Sequence, residues 1–113
     1  MQGSELAHHV VDLLVDRQAS DVVLLDLTSL STFTDYFVIA TAGNERQLNA
    51  LIETLDADAS AAGRPFKQEG LPDGGWVLVD LGTVIVHLFS LEKRAYYNLE
   101  GLWQRAQEVV RVQ

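Results

Sequence analysis

Apolar positions along this chain change period several times, and the changes outline its elements. Leu6, Val10, Leu13 and Leu14 recur at helical spacing to about Arg17. Ser4 is placed to cap that helix, with Glu5 in the first turn, where a carboxylate favours the helix dipole. Asp21 to Leu27 is β-branched and apolar on both parities, the pattern of a central strand covered on both faces. Thr28 to Thr34 is a Ser/Thr-rich connection, and Asp35 to Thr41 is a second strand. Asn44, with Gln47 three residues on, has the form of a capping box and opens a second helix. Leu48, Leu51, Ile52, Leu55, Ala59 and Ala62 share one face of it, and Gly63 followed by Pro65 ends it.

Phe66 to Glu69 is a short edge strand, and Gly70 to Gly74, with Pro72, is a loop. From Gly75 to Phe89 the chain reads as two apolar strands joined by a tight Asp80-Leu81-Gly82 turn. Alternation places Trp76, Leu78 and Asp80 on one face and Val77 and Val79 on the other. After Ser90, Leu91 to about Leu102 is helical, and the tail to Gln113 is expected to continue that helix. The resulting order, α-β-β-α-β-β-β-α, is that of a mixed α/β protein. Its 113 residues suit a single domain over 1–113.

Composition narrows the function classes. Nearly half the residues are apolar, and the apolar runs fall short of the roughly 20 residues of a membrane span. No signal peptide is visible before the first amphipathic pattern, so a cytoplasmic protein without membrane partners is expected. Cysteine is absent, which removes disulfides, thiol nucleophiles and thiolate metal sites together. Sixteen acidic against eight basic residues give a formal charge of −8. That field repels phosphate backbones and disfavours nucleic-acid binding. It also steers the chain toward basic protein surfaces, although acidity alone more often serves solubility.

Catalytic and metal-binding patterns are weak. His8 and His9 are adjacent, so on a helix they diverge by about 100° and belong to a surface or flank. His87 lies inside an apolar strand and is expected to be a hydrogen-bonded core residue. No Gly-x-Ser-x-Gly elbow is present. Thr41-Ala42-Gly43-Asn44, between a strand and a helix, lacks the glycine and lysine pattern of a phosphate cradle and is expected to be a structural turn. Asp56-Ala-Asp58 imitates a magnesium-holding pair, but on a helix positions i and i+2 face different ways, so both are expected on a solvated surface. No metal, cofactor or catalytic residue is expected. Trp76 alone is ambiguous. Core packing under a helix and an exposed anchoring role at an interface fit its position equally well.

Five motifs, taken together and in order, carry a resemblance. They are Asp35-Tyr36-Phe37-Val38-Ile39, Arg46-Gln47, Gly75-Trp76-Val77-Leu78-Val79-Asp80, Val86-His87-Leu88-Phe89, and Glu92-x-Arg94-x-x-Tyr97-x-Leu99-Glu100-x-Leu102-Trp103. Their order and spacing resemble the ribosomal silencing factor family, also called Iojap-like, over most of the chain. Tyr96 stands where Phe is common in the family, and the Ala42-Gly43-Asn44 turn is worded differently from many members.

The resemblance implies a nucleotidyltransferase-like fold without the catalytic motifs: a mixed sheet of about five strands flanked by helices. It also implies a translational repressor, not an enzyme. Such a protein binds a ribosomal protein of the L-fourteen type on the large ribosomal subunit. It sterically blocks joining of the small subunit, lowering translation under nutrient limitation. A role in large-subunit assembly, or as a residual nucleotide-binding enzyme, is the alternative. Carried over to this chain, the resemblance favours Trp76 as the partner-binding anchor, with Glu69, Leu71, Leu78 and Asp80 around it. Arg94, Tyr97 and Trp103 are matched positions that serve either the partner or the packing of the last helix. Family members are dimers, and the sequence leaves self-association open.

Overall fold

The computed structural model describes residues 3–30 and 34–113. The elements are α1 (Gly3–Asp16), β1 (Ser20–Asp26), β2 (Tyr36–Ala42), α2 (Glu45–Ala61), β3 (Lys67–Glu69), a 3-10 turn (Pro72–Gly74), β4 (Trp76–Asp80), β5 (Val84–Ser90), α3 (Leu91–Tyr97), α4 (Leu99–Leu102) and β6 (Gln107–Val112). One sheet runs in the order β3-β4-β5-β2-β1-β6. Only β2 and β5 pair in parallel; the other neighbours are antiparallel. The parallel pair forces a crossover, and α2 supplies it.

Both faces of the sheet are covered. Leu6, Val10 and Leu14 of α1 and Leu48, Leu51 and Leu55 of α2 pack on one face, against Val22, Leu24, Val38, Val77, Val79, Val86 and Leu88. The opposite face gathers Val23, Leu25, Phe37, Ile39, Ile85 and Phe89 under Leu99 of α4, with Trp76, Leu78 and Trp103 at its margin. Double coverage explains why β1 reads as apolar on both parities. The alternation expected for β4 holds, with Val77 and Val79 buried and Trp76, Leu78 and Asp80 half-buried.

Capping follows the sequence at α2. Asn44 accepts from the Gln47 N–H at 2.8 Å, while the Gln47 amide oxygen accepts from the Gly43 N–H. The Gln47 amide also donates to the Gln18 carbonyl at 2.8 Å, tying this turn to the end of α1. The Gly43 N–H of the turn is thus used internally. Ala59 is buried, whereas Ala62 is the exposed C-cap, and Gly63 follows with φ +66.

Four expectations are corrected. Helix α1 already includes Gly3, so Ser4 lies inside its first turn and does not cap it. The last helix is broken at Asn98, whose φ of 45 is left-handed, into α3 and α4. The tail then forms a sixth strand, not a continued helix, and pairs antiparallel with β1 from Val22↔Val112 to Asp26↔Gln107. Its valines find an open edge on β1, and that demand overrides the weak local helical pattern. The sheet accordingly has six strands, where about five were expected. Of the Thr28–Thr34 connection, positions 31–33 lie outside the described residues.

Two glycines separate strain from collision. Gly70 and Gly82 hold φ of +87 and +97; a Cβ on Gly70 would lie 2.7 Å from the Trp76 carbonyl oxygen, whereas one on Gly82 meets nothing within 4 Å. Gly82→Ala is expected to cost roughly 1 kcal/mol, from backbone conformation alone. Gly70→Ala adds a backbone clash and is expected to cost at least about 2 kcal/mol. Urea denaturation compares the two, and equal losses would show that the Trp76 carbonyl yields freely.

Candidate functional site

The face opposite α1 and α2 is lined by aromatic rings that run from the core to the surface. Phe37 meets Trp103 edge-on, with centroids 5.4 Å apart, and His87 at 4.6 Å. Trp76 stacks on Phe89 at 5.2 Å and leans on Tyr97 at 4.4 Å. Tyr97 meets Tyr96 edge-on at 5.0 Å, and the Lys93 ammonium lies 5.4 Å from the Tyr96 ring. The outer end of this series is open, with Tyr96 74% and Tyr97 40% exposed. Trp76 stands where core becomes surface. It has the paired N–H of a core indole, donating to His87 Nδ1 at 3.2 Å, yet it is only half-buried.

The other expected partner residues surround it unequally. Leu78 is half-buried on the same face, and Glu69 lies opposite it on β3, exposed. Leu71 begins the 3-10 turn and is 67% exposed. Asp80 is half-buried, and one carboxylate oxygen accepts from the Gly82 N–H at 2.8 Å, so it also shapes the hairpin turn. Tyr96 and Leu91, both highly exposed, were not singled out from sequence as partner residues. Leu91 and Tyr96 are separated by Glu92, Lys93 and Arg94, so no apolar run marked them in the sequence.

Charged groups fasten this face together. Arg94 is buried, donating to Glu100 at 2.8 Å, to the Asp21 carbonyl at 2.9 Å and to the Thr41 hydroxyl at 2.8 Å. Arg111 of β6 reaches Asp21 at 2.8 Å, Glu100 at 3.1 Å and Glu108 at 2.9 Å. Of the three matched positions with two open roles, Arg94 and Trp103 hold the last helices on the sheet, and Tyr97 braces Trp76.

Elsewhere, Asp58 is not simply solvated. It is half-buried, pairs with His9 at 2.9 Å and accepts from Arg64 at 2.8 Å, joining α1 to the end of α2, while Asp56 is exposed. Burial pulls the Asp58 carboxyl upward, but its hydrogen bonds with His9 and Arg64 outweigh this and hold it below its ordinary range. Among the described residues no three His, Asp or Glu side chains converge as a metal site, and no helix is long and apolar enough to cross a membrane. An open crevice of about 270 Å³ lies where β2 and β5 end, between Asn44, Pro72, Gly75 and Lys93.

A family model described as ribosomal silencing factor during starvation matches residues 1–113. The chain belongs to the ribosomal silencing factor family. It is 39% identical over 110 residues to the ribosomal silencing factor of Halalkalibacterium halodurans, covering 96% of this chain and 94% of that one. The crystal structure of a Chromobacterium violaceum protein superposes with a TM-score of 0.86 at 32% identity, over 92% of this chain and 88% of that one. A mouse protein named mitochondrial assembly of ribosomal large subunit protein 1 is 33% identical over 83% of this chain and 43% of its own length. Membership of the silencing factor family gives the chain a ribosome-associated silencing role. The family is named for a silencing factor, not for an enzyme.

His87 contributes an acid sensitivity to folding. Burial lowers its pKa from 6.5 to about 4. Between those values the unfolded chain binds more protons than the folded one, so stability is full above about pH 6.5 and falls as the pH drops toward 4, by roughly 3 kcal/mol from this group. The hydrogen bond from Arg94 holds the Glu100 carboxyl below its ordinary range, against the effect of burial, so its contribution is lost at still lower pH. Urea midpoints at about pH 7 and about pH 5 measure the first effect, and His87→Asn is expected to flatten that interval. An unchanged slope in the variant would place the loss in other groups.

Proposed function

We propose that this protein is a cytoplasmic translational repressor. It docks on the large ribosomal subunit through a ribosomal protein of the L-fourteen type and sterically blocks joining of the small subunit when nutrients are short. Trp76 is the anchor, with Leu71, Leu78, Glu69 and Asp80 around it and Tyr96 and Tyr97 extending the apolar surface. The observation that carries this reading is the aromatic series opening at Tyr96 and Tyr97 on a chain of formal charge −8. An acidic protein approaching a ribosome is repelled by RNA and attracted by basic protein, so charge selects the landing place and the rings give residence time. Occupying that surface is enough to exclude a second subunit, and no covalent step is needed.

The name of the mouse relative supports a second reading, in which docking serves assembly of the large subunit. Self-association belongs to either reading, since β6 is an outer strand with exposed Val109 and Val112.

Density gradients test these together. The protein is expected to co-sediment with isolated large subunits and to reduce the yield of joined ribosomes. Docking with unaltered joining at saturating protein would discard the repressor in favour of the assembly role. Trp76→Ala is expected to weaken docking by about 2 kcal/mol, and the exposed Leu71→Ser and Tyr96→Ser by roughly 1 kcal/mol each, without loss of folding. Full binding by all three variants would move the interface elsewhere.

A further inference from the structure

His87 is buried among the apolar residues of β5. It lies opposite Leu78 on β4 and Ile39 on β2, with Phe37 edge-on and Phe89 nearly parallel to it. Only 3% of it is exposed. The strands on either side are already joined by their own backbone ladders, so the imidazole is not needed to hold them.

Its hydrogen bonding is one-sided. An indole N–H can only donate, so the 3.2 Å contact with Trp76 Nε1 requires a bare, accepting Nδ1. A neutral imidazole has one ring proton, which must then sit on Nε2. That nitrogen is enclosed and finds no hydrogen-bond partner among the described residues. A buried polar group left unpaired is costly. The site tolerates it while keeping an acceptor whose partner is the indole.

That indole needs holding. Trp76 is half-buried on a strand whose outer neighbour, β3, is three residues long and ends opposite Leu78. Phe89 and Tyr97 supply faces for the ring to lie on, but stacking alone does not select its rotation. A hydrogen bond to its N–H does, and an anchor fixed before binding loses less freedom on binding.

We propose that His87 is a positioning residue for docking: a neutral imidazole protonated at Nε2, whose Nδ1 fixes the Trp76 indole in the orientation that the ribosomal partner meets. This rests on the docking role proposed above for Trp76.

Nitrogen-15 NMR of the unsubstituted protein at neutral pH tests the tautomer directly. A pyridine-like Nδ1 and a pyrrole-like Nε2 are expected, with the Trp76 indole N–H distinguished from that of Trp103 by the Trp103→Phe spectrum. The opposite tautomer, or an imidazolium, overturns the proposal. Two substitutions then separate positioning from packing. His87→Phe keeps a ring but removes the acceptor; it is expected to shift the Trp76 indole resonance and weaken large-subunit binding about tenfold. His87→Asn, whose amide oxygen stands near the Nδ1 position, is expected to recover binding to within about threefold. Full binding by the Phe variant, or equal losses in both, overturns the positioning role and leaves the docking reading intact. Absence of binding by the unsubstituted protein overturns docking itself, whatever the tautomer.

Discussion

A buried guanidinium needs its charge and donors compensated, and Arg94 finds this in groups from three separate parts of the chain. Its Nε and Nη1 are hydrogen-bonded, and Nη2 is left with the Asp21 carboxylate at 3.5 Å. Asp21 comes from β1, Thr41 from β2, and Glu100 from the helix that follows. The requirement works in both directions. Removing either carboxylate would leave a buried cation under-compensated, which is far more damaging than losing a surface pair. The same carboxylates receive Arg111, so the last strand joins the network that the last helices depend on. With Arg94 in place, Leu99 and Trp103 are set over the sheet and Tyr97 is brought to the edge of Trp76.

The two faces of the sheet are consequently unlike. One is closed by aliphatic packing under two helices. The other is covered by short helices that leave its aromatic margin open, so the rings that complete the core also reach solvent. Core and contact surface share residues, and the surface inherits the rigidity of the core. An anchor built this way needs little ordering at the moment of encounter, which suits the docking role proposed above.

Local chemistry made much of this legible in the sequence. The double apolar parity of β1, the alternation along β4, the Asn44 cap and the Gly63 stop are short-range signals, and each corresponds to what the chain does. What escaped were features whose cause lies far along the chain. The tail becomes a strand because β1 offers an edge some 85 residues earlier, from Val22↔Val112 to Asp26↔Gln107. Asp58 is held by His9 from the first helix, and Arg94 by Asp21. The site shows the same division. Parity placed Trp76, Leu78 and Asp80 on one face, but no spacing rule could show that the indole N–H would find His87 or that Tyr96 and Tyr97 would prolong the surface. The resemblance to the silencing factor family singled out Trp76; the register of β4 on β5 shows how it is supported.

The position of β6 has a consequence for the chain before it is folded. Strand β1 is apolar on both faces and has β2 on one side, but its other side is covered only by the last strand of the sheet. Until residues 107–112 arrive, Val22 to Leu25 present an unpaired, doubly apolar edge, the kind of template on which other chains add. Contacts between such distant segments also form slowly. The final strand therefore protects against aggregation as well as contributing to stability, and the ion pairs of Arg111 fasten it in place.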